Sequence, residues 1–520
     1  MRKIITVAND QKDALYVLVK SLSKSEKRQF KLYAGRLDGN TDAKFLLLFN
    51  VLDKAKEYNE DDILKKGFVT KQQLSNLKAH LYKQILVSLK LIPALQNIRL
   101  QIREQLDFAT VLYQKGLYKQ SLKILEKAKA LAIENEEKNV AFEIVELEKV
   151  IETQYITRSI DSRAEALAAE AKMLSELNLL TSQLSNLSLQ LYGILLKTGY
   201  VRSDEEKQEI TNFFETQLPD PGSLELGFRE KLWYSQAYLW YSFIIQDFLS
   251  CYKHANRWVE LFEEYPQMRY RNPVFFLKGN NYLMESLYYL KHHTRFKEVL
   301  TAFETQLNEP GFISNDNIRA LAFLYRYNNV LNLRFLIGDF EEPEVLSKQI
   351  EKELKKLDHQ IDAHHVMLFY YKLACLHFCD GQHKQCIAYL SKIINNKSLK
   401  MRQDLMCFAR ILNLVAHYEA GMDYHLESLL KSTYKFLIKM DDLHEVQKEM
   451  IKFLRNLGSI FPADLKDAFV QLRNRLEQYE EDPYERRSFL YLDILSWLDS
   501  RIQNKPVGEV IWEKALQLNR

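Results

Sequence analysis

The chain has 520 residues, of which 47% are hydrophobic, with only 15 glycines, 10 prolines and a formal net charge of +3. This apolar fraction excludes a disordered chain, and the scarcity of glycine and proline indicates long elements with few sharp turns. Five cysteines, an odd number in so large a chain, argue against a disulfide framework and favour a reducing compartment.

The composition predicts an all-α protein. Leucine, lysine, glutamate and glutamine dominate, and alternating β-branched residues are almost absent. The N-terminal stretch has no apolar core of signal-peptide length before Asp10, and the longest apolar run near it, residues 45–52, is too short to span a bilayer. We therefore expect a cytoplasmic protein without a membrane span.

Charge is unevenly distributed along the chain. Residues 1–100 carry 19 lysines and arginines against 10 acidic residues, whereas the remaining 420 residues carry 53 against 59. Such an asymmetry predicts an acidic partner for the N-terminal part.

Residues 1–92 predict a small basic helical bundle. Helices are expected near residues 11–21, 42–57 and 70–92. A further helix begins at Ser23, which has capping-box spacing to Glu26. That helix carries a basic stripe at i, i+3, i+4 and i+7, formed by Lys24, Lys27, Arg28 and Lys31. Such a stripe is typical of a solvated face, and contact with nucleic acid, another acidic partner or a membrane surface is the alternative.

A helix-turn-helix is an alternative interpretation of residues 60–86, where a short helix, a turn at Gly67 and a longer helix follow one another. The longer helix has an apolar stripe made of Leu74, Leu77, Leu81 and Ile85. Lys71 and Lys78 flank this stripe, while Lys83 and Lys90 point in another direction. A recognition helix instead gathers its polar contacts on one exposed face. The charge placement therefore disfavours DNA binding.

Residues 113–128 predict a helical hairpin whose pattern recurs along the chain. Gly116 permits a left-handed turn, Tyr118 closes the hairpin end, and small residues allow two helices to approach closely. Related turns occur at ten positions, namely Gly116, Ser159, Gly199, Ser250, Thr294, Gly338, Gly381, Gly421, Pro462 and Pro506. They lie 40 to 51 residues apart, and this period predicts a stack of helical hairpins.

The hairpins resemble the tetratricopeptide repeat (TPR). Residues 105–128 carry its Gly-x-Tyr turn and its small residues. Residues 370–390 supply further matching positions, which are Tyr370, Leu373, Ala374, Gly381 and Cys386. Gln105, Leu331 and Leu414 depart from the pattern. The period also exceeds the roughly 34 residues of that family, so we expect helices of about 18–20 residues, with HEAT or armadillo packing as the structural alternative.

The predicted fold is therefore a TPR-like solenoid of about ten hairpins over residues 93–520, preceded by the basic bundle of residues 1–92. A loop is inserted near residues 218–227, where the sequence LPDPGS occurs. The opening SKSEKRQFKLYA ahead of such an array is also similar to an uncharacterised group of bacterial helical-repeat proteins. That resemblance implies no activity.

The TPR resemblance implies that the first helix of each hairpin lines a concave face. Offsets from the turns place thirteen side chains there. Eight are the candidate binding residues, namely Trp240, Asn281, Tyr288, Lys291, Tyr325, Asn328, Asn332 and Tyr371, and the other five are Ile244, Met284, Phe335, Leu368 and Cys375. Aromatic rings provide apolar anchors and asparagine can pair with backbone groups, so this set suits an extended peptide. Burial of the same side chains between the layers of the array is the alternative.

A metal site is an alternative for the cysteines and histidines of the segment CLHFCDGQHKQC. The candidate ligands are Cys375, His377, Cys379, His383 and Cys386. The repeat pattern explains most of these positions as packing residues, since buried free cysteine behaves as a small hydrophobe. No nucleotide-binding or nucleophile motif occurs either. We expect no metal, no cofactor and no catalytic residue.

These patterns predict a protein- or peptide-binding scaffold or adaptor that acts through the concave face of a helical-repeat array. The alternative is a peptide-responsive or nucleic-acid-linked regulator that uses the basic N-terminal bundle. An enzyme is not predicted.

Overall fold

The computed structural model describes residues 13–38, 44–92, 97–154, 162–357, 360–396, 403–437, 445–456, 464–480, 482, 484–485 and 493–518. Within these residues the regular secondary structure is helical throughout, which confirms the all-α prediction. None of the described helices combines the length and apolar character needed to cross a membrane. The chain divides into two compact units, Met1–Ala171 (unit 1) and Lys172–Arg520 (unit 2).

Twenty-five helices are described, and eight of them have 17 residues, a length of about 25 Å. In chain order they are α1 (Ala14–Ser21), α2 (Lys24–Asp38), α3 (Lys44–Lys54), α4 (Glu60–Leu64), α5 (Lys71–Lys90), α6 (Ile98–Gln114), α7 (Tyr118–Glu134), α8 (Lys138–Gln154), α9 (Arg163–Thr198), α10 (Asp204–Gln217), α11 (Phe228–Ile244), α12 (Phe248–Glu264), α13 (Met268–Arg271), α14 (Pro273–Tyr289), α15 (His293–Leu307), α16 (Asp316–Ile337), α17 (Pro343–Lys356), α18 (Ala363–Cys379), α19 (His383–Ile394), α20 (Gln403–Glu419), α21 (Asp423–Leu437), α22 (Glu445–Asn456), α23 (Leu465–Glu477), α24 (Ile494–Gln503) and α25 (Val507–Leu518).

The N-terminal helices of unit 1 enclose a small core. Val19 of α1, Phe30 of α2 and Phe49 of α3 are buried in it, and the two phenylalanine rings lie 4.7 Å apart. Helix α2 begins with the predicted capping box. The Ser23 amide donates to Glu26 Oε2 at 2.7 Å, and the Glu26 amide donates to Ser23 Oγ at 3.2 Å. The apolar face of α2 is thus held against the core and its basic stripe faces outward.

Helices α6 and α7 of unit 1 form the hairpin predicted from residues 113–128. Gly116 has the left-handed backbone conformation at the turn, with φ of +73°. Ser121 Oγ donates to the Ala109 carbonyl at 2.8 Å across the hairpin, and Ala109 and Ala128 are fully buried. Small side chains let the two helices approach closely enough for that bond to form.

A buried ion cluster joins α7, α8 and α9 within unit 1. Lys129 Nζ lies 2.7 Å from Glu148 Oε2 and 2.8 Å from Glu170 Oε2. Arg163 lies 3.5 Å from the same oxygen of Glu148, whose side chain is only 2% exposed. Because a charge so far removed from water is stable only when it is paired, Lys129 holds two carboxylates in place.

Helices of unit 2 pack against their neighbours in chain order. Helix α11 packs on α12, α12 on α14, α14 on α16, and α18 on α19. Left-handed backbone marks the predicted turns at Gly338, Gly381 and Gly421. The turns predicted at Ser159 and Pro462 lie outside the described residues.

Two turns of unit 2 differ from the prediction. The left-handed residues are Gln246, between α11 and α12, and Lys291, between α14 and α15. The predicted positions, Ser250 and Thr294, lie inside the following helices and are wrong by a few residues. Neither turn contains glycine, so the sequence lacked the residue that marks a left-handed turn elsewhere in the chain.

Helix α9 runs unbroken for 36 residues, so the expected length of 18–20 residues is wrong here. Residues 163–192 contain neither glycine nor proline, and apolar residues recur along one face at helical spacing. Nothing in this stretch therefore ends the helix. It ends just before Gly199, whose φ is +77°.

The C-terminal hairpin of unit 2 folds back onto an earlier one. Helix α25 packs against α16, although the two are far apart in sequence. At this contact a Cβ atom on Gly508 would lie 2.5 Å from the Gly338 carbonyl oxygen, so two backbones touch where no side chain fits. Tyr484 donates a hydrogen bond of 2.6 Å to Asp204, which is also distant in sequence. Unit 2 is thus joined by contacts between non-adjacent hairpins, whereas repeats in a simple array contact only their neighbours.

The packing of Gly279 in α14 against Trp258 in α12 leads to a first prediction. A Cβ atom on Gly279 would lie 3.0 Å from Trp258 Cδ1, and the indole is fully buried. We expect Gly279→Ala to lower the free energy of unfolding by about 1–3 kcal/mol through overpacking, measured by urea denaturation. Gly193→Ala in α9, where a Cβ meets nothing within 4 Å, is the control and should stabilise by up to about 1 kcal/mol. Equal stabilisation by both alanines would contradict the packing described here.

Candidate functional site

A large cavity in unit 2, here called the chamber, is the strongest candidate for a functional site. Its volume is about 1930 Å³, roughly twice the upper end of the ~300–1,000 Å³ usual for small-molecule sites. Helices α9, α11, α14, α16 and α18 supply most of its wall. The C-terminal helices α24 and α25 also contribute to it, because α25 packs back onto α16.

Of the thirteen side chains that sequence offsets placed on a concave face, Ile244 and Met284 are buried and do not line the chamber, whereas Phe335, Leu368 and Cys375 do. The eight candidate binding residues also line it. They are Trp240, Asn281, Tyr288, Lys291, Tyr325, Asn328, Asn332 and Tyr371. Five of them are nearly buried and present only an edge to the cavity. Tyr288 and Asn328 are half-buried, and Lys291 is exposed at its left-handed turn. The structure therefore brings the eight together, and their role in binding stays a prediction.

A chain of amide hydrogen bonds crosses the wall of the chamber from α14 to α18. Asn329 Nδ2 donates to Asn281 Oδ1 at 2.8 Å, and Asn332 Nδ2 donates to Asn329 Oδ1 at 3.3 Å. At the far end Lys372 Nζ donates to the Oδ1 atoms of both Asn332 and Asn328, at 2.5 Å in the latter case. Each amide is oriented by its neighbour, so the wall offers fixed polar groups in an otherwise aromatic surface.

Two lysines of the wall lie in surroundings that disfavour their charge. Burial lowers the pKa of Lys372 to about 8, against the opposing effects of the Glu285 carboxylate and the Cys375 thiol. Burial also lowers the pKa of Lys278 on α14. Lys278 makes no hydrogen bond or ion pair with another described residue. A negative charge placed in the chamber would stabilise the charged form of both lysines.

Acidic side chains also line the chamber, but several already serve the fold. Asp362 caps α18 through the His365 amide at 3.1 Å and accepts from the His365 ring at 2.6 Å, and the imidazole holds the pKa of that carboxyl well below its usual range. Asp493 caps α24 by accepting from the Ser496 amide at 2.9 Å. Glu285 accepts a hydrogen bond of 3.2 Å from the Tyr289 hydroxyl.

Aromatic rings form a continuous surface on one side of the chamber. The Tyr192 ring of α9 lies 4.8 Å from the Trp240 ring, which lies 4.8 Å from the Tyr282 ring of α14. The rings of Trp233 and Phe275 meet edge to face at 5.5 Å. Trp233 and Phe275 are half-buried and Tyr192 is exposed, so these rings leave apolar surface accessible from the chamber.

Several lining residues were not found from the sequence. Tyr192 was missed because the offsets were applied only from the hairpin that turns near Ser250 onward. Lys278 and Glu285 were missed because the turn after α14 was placed three residues too late, and Tyr282 lies beside the positions that the offsets select. Lys372 was missed for another reason. A helix facing a cavity exposes a stripe wider than one residue, and on α18 the offsets selected Leu368, Tyr371 and Cys375 but not the adjacent Lys372.

The cysteine and histidine cluster is divided between packing and the chamber wall. Cys375 and Cys379 line the chamber, and burial raises the pKa of Cys375 to about 12 and that of Cys379 well above its usual value. His377 is buried and hydrogen-bonded to Ser347 at 2.9 Å and to Gln382 at 3.0 Å. Among the described residues no group of three or more side chains is arranged to hold a metal ion.

The predicted basic stripe lies on α2 in unit 1. Lys24, Lys27, Arg28 and Lys31 border a shallow groove of about 410 Å³ with Leu32. Lys27 pairs with Asp53 at 2.8 Å, and Lys31 Nζ lies 5.6 Å from the centre of the Phe49 ring. On α5, Lys78 is paired with Asp13. Intramolecular contacts thus occupy part of the basic surface, and a nucleic-acid partner stays a prediction.

Comparison of the chain with protein-family models, with curated proteins and with solved structures found no match. What the chamber binds must therefore be inferred from its own residues.

Proposed function

We propose that this protein is a helical-repeat scaffold that binds a protein or peptide segment in the chamber of unit 2. The hairpins are taken to form a TPR-like array, with the first helix of each hairpin turned toward the ligand. Three observations support this arrangement. First and second helices alternate in the order of the chain, and the turns at Gly338, Gly381 and Gly421 are left-handed. In addition, α11, α14, α16 and α18 lie around one cavity.

The observation that carries the proposal is the combination of a large chamber with aromatic and amide groups in its wall. A volume near 1930 Å³ exceeds what a small ligand fills and suits a chain segment. An extended segment carries backbone donors and acceptors that asparagine can match, as Asn328 and Asn332 would. Half-buried rings such as Trp233 and Tyr288 would supply the apolar anchors in which binding energy concentrates.

A selection experiment tests the proposal. Random 12-residue peptides displayed on phage are selected on the full chain, and the recovered peptides are measured against a variant with a blocked chamber. Leu368→Trp adds a large ring to a half-buried position of α18 that lines the chamber. We expect the recovered peptides to bind this variant at least tenfold more weakly than the unmodified chain.

Leu249→Trp is the matched control, because residue 249 is 68% exposed on α12 and does not line the chamber. It should leave peptide binding within twofold of the unmodified chain. Recovered peptides that bind the Leu368→Trp variant undiminished would place recognition elsewhere and overturn the proposal. A selection that repeatedly recovers no specific peptide would overturn it as well.

A further inference from the structure

We propose that Lys372 is the anion-binding point of the chamber, and that the segment bound there carries a carboxylate. This inference rests on the proposed function, and it specifies the chemistry of the ligand. It is derived from the contacts of the Lys372 ammonium group with asparagine amides of α16, which are linked in turn to α14.

The ammonium of Lys372 is held in place by amide oxygens alone. Its Nζ donates to Asn328 Oδ1 at 2.5 Å and to Asn332 Oδ1. Asn332 is itself fixed by Asn329, which is fixed by Asn281 on α14. The position of the Asn332 oxygen is therefore set by the fold and does not depend on a ligand.

The charge of Lys372 has no opposite charge in contact with it. None of the described carboxylates lies within 4.0 Å of its Nζ, and Glu285 acts on it only over a longer distance. An ammonium group has three donors, of which the two amides use two. The side chain lines the chamber, and the proposal assigns the third donor to a group bound inside it.

A ligand carboxylate would supply the opposite charge and the third acceptor that Lys372 lacks among the described residues. It would accept the third hydrogen bond and neutralise a charge that lies in surroundings of low polarity, where such a contact is stronger than in water. A neutral amide would satisfy the donor but not the charge. The half-buried and unpaired Lys278 in the same wall adds to the positive potential of the chamber, so acidic segments are favoured over neutral or basic ones.

Variants at Lys372 test the inference. The same random 12-residue phage library is selected in parallel on the unmodified chain and on Lys372→Met, which keeps most of the length of the side chain and removes its charge. We expect peptides recovered on the unmodified chain to be enriched in aspartate or glutamate at a fixed distance from an aromatic residue. Peptides recovered on Lys372→Met should lack that enrichment. Lys253→Met, at an exposed position of α12 outside the chamber, should retain it.

Synthetic peptides then give a direct measurement. Changing the enriched acid to its amide should weaken binding to the unmodified chain at least tenfold, and binding to Lys372→Met less than twofold. Displayed peptides are joined to the coat protein at one end, so comparing synthetic peptides with free and amidated C-termini separates a side-chain carboxylate from a terminal one. Lys372→Arg keeps the charge and should retain acidic enrichment, and unchanged circular dichroism would show that Lys372→Met is folded.

The two proposals fail in different ways. Peptides that bind in the chamber, as judged by their loss with Leu368→Trp, but that show no acidic preference and no sensitivity to Lys372→Met would overturn the anion-binding role alone. Acidic peptides that bind the Leu368→Trp variant undiminished would overturn the chamber as the site, and with it both proposals.

Discussion

Replacing Gly338 with alanine is expected to separate helix α25 from α16 and to open the chamber. An alanine Cβ at this position would overlap the Gly508 carbonyl, which is backbone and cannot rotate away. Overpacking of this kind costs about 1–3 kcal/mol, in addition to the strain of a left-handed alanine. The measurement is hydrogen exchange, in which the amides of Val507–Leu518 should lose protection while those of α11 and α12 keep theirs.

Gly381→Ala is the matched control for this prediction. Gly381 occupies the same position in the next hairpin with φ of +79°, against +68° for Gly338, but a Cβ there meets nothing within 4 Å. Both alanines carry the backbone strain, so the difference between them isolates the contact with α25. If the two variants lost the same stability and α25 stayed protected in both, the contact between α16 and α25 would be unimportant for closing the chamber.

Replacing Lys129 with methionine is expected to destabilise unit 1 by up to about 3–5 kcal/mol, because Glu170 loses its ammonium partner and Glu148 keeps only the longer contact with Arg163. Glu148 is 2% exposed and cannot recover its hydration without local unfolding. The measurement is the free energy of unfolding from urea denaturation, followed with a probe in unit 1.

Lys149→Met provides the comparison for that prediction. Lys149 pairs with Glu146 at 2.6 Å on the surface of α8, where both side chains are more than a third exposed. Surface pairs of this kind contribute about 0–1 kcal/mol, so the change should be small. An equal decrease in the free energy of unfolding in both variants would show that burial of the ion cluster does not increase its contribution to stability.

Local features of this fold could be predicted from the sequence because they depend on nearby residues. Gly116 with Ser121, and Gly338, Gly381 and Gly421, mark turns by conformational freedom that other residues lack. The turns at Gln246 and Lys291 were misplaced because their left-handed residues are not glycine. The surrounding structure imposes that conformation, and the residue type does not indicate it. The unbroken length of α9 could have been found from the absence of glycine and proline over residues 163–192.

The chamber itself was only partly predictable. Offsets from turns placed thirteen side chains on one face, since helical periodicity is local, and all of them except Ile244 and Met284 line the cavity. The contact of α25 with α16 depends on the accumulated geometry of the intervening hairpins, which no short pattern encodes. For the same reason the orientation of Lys372 between Asn328 and Asn332, on a neighbouring helix, could not be seen in the sequence.

The contact between α16 and α25 has a consequence for the order in which the protein is made. During synthesis each hairpin can pack on the preceding one as it leaves the ribosome, since most contacts are between neighbours. The chamber wall includes α24 and α25, however, so residues 494–518 must be translated before the cavity is enclosed. A chain that stops at α23 therefore lacks the part of the wall that α24 and α25 supply, and it leaves that side of the aromatic surface uncovered.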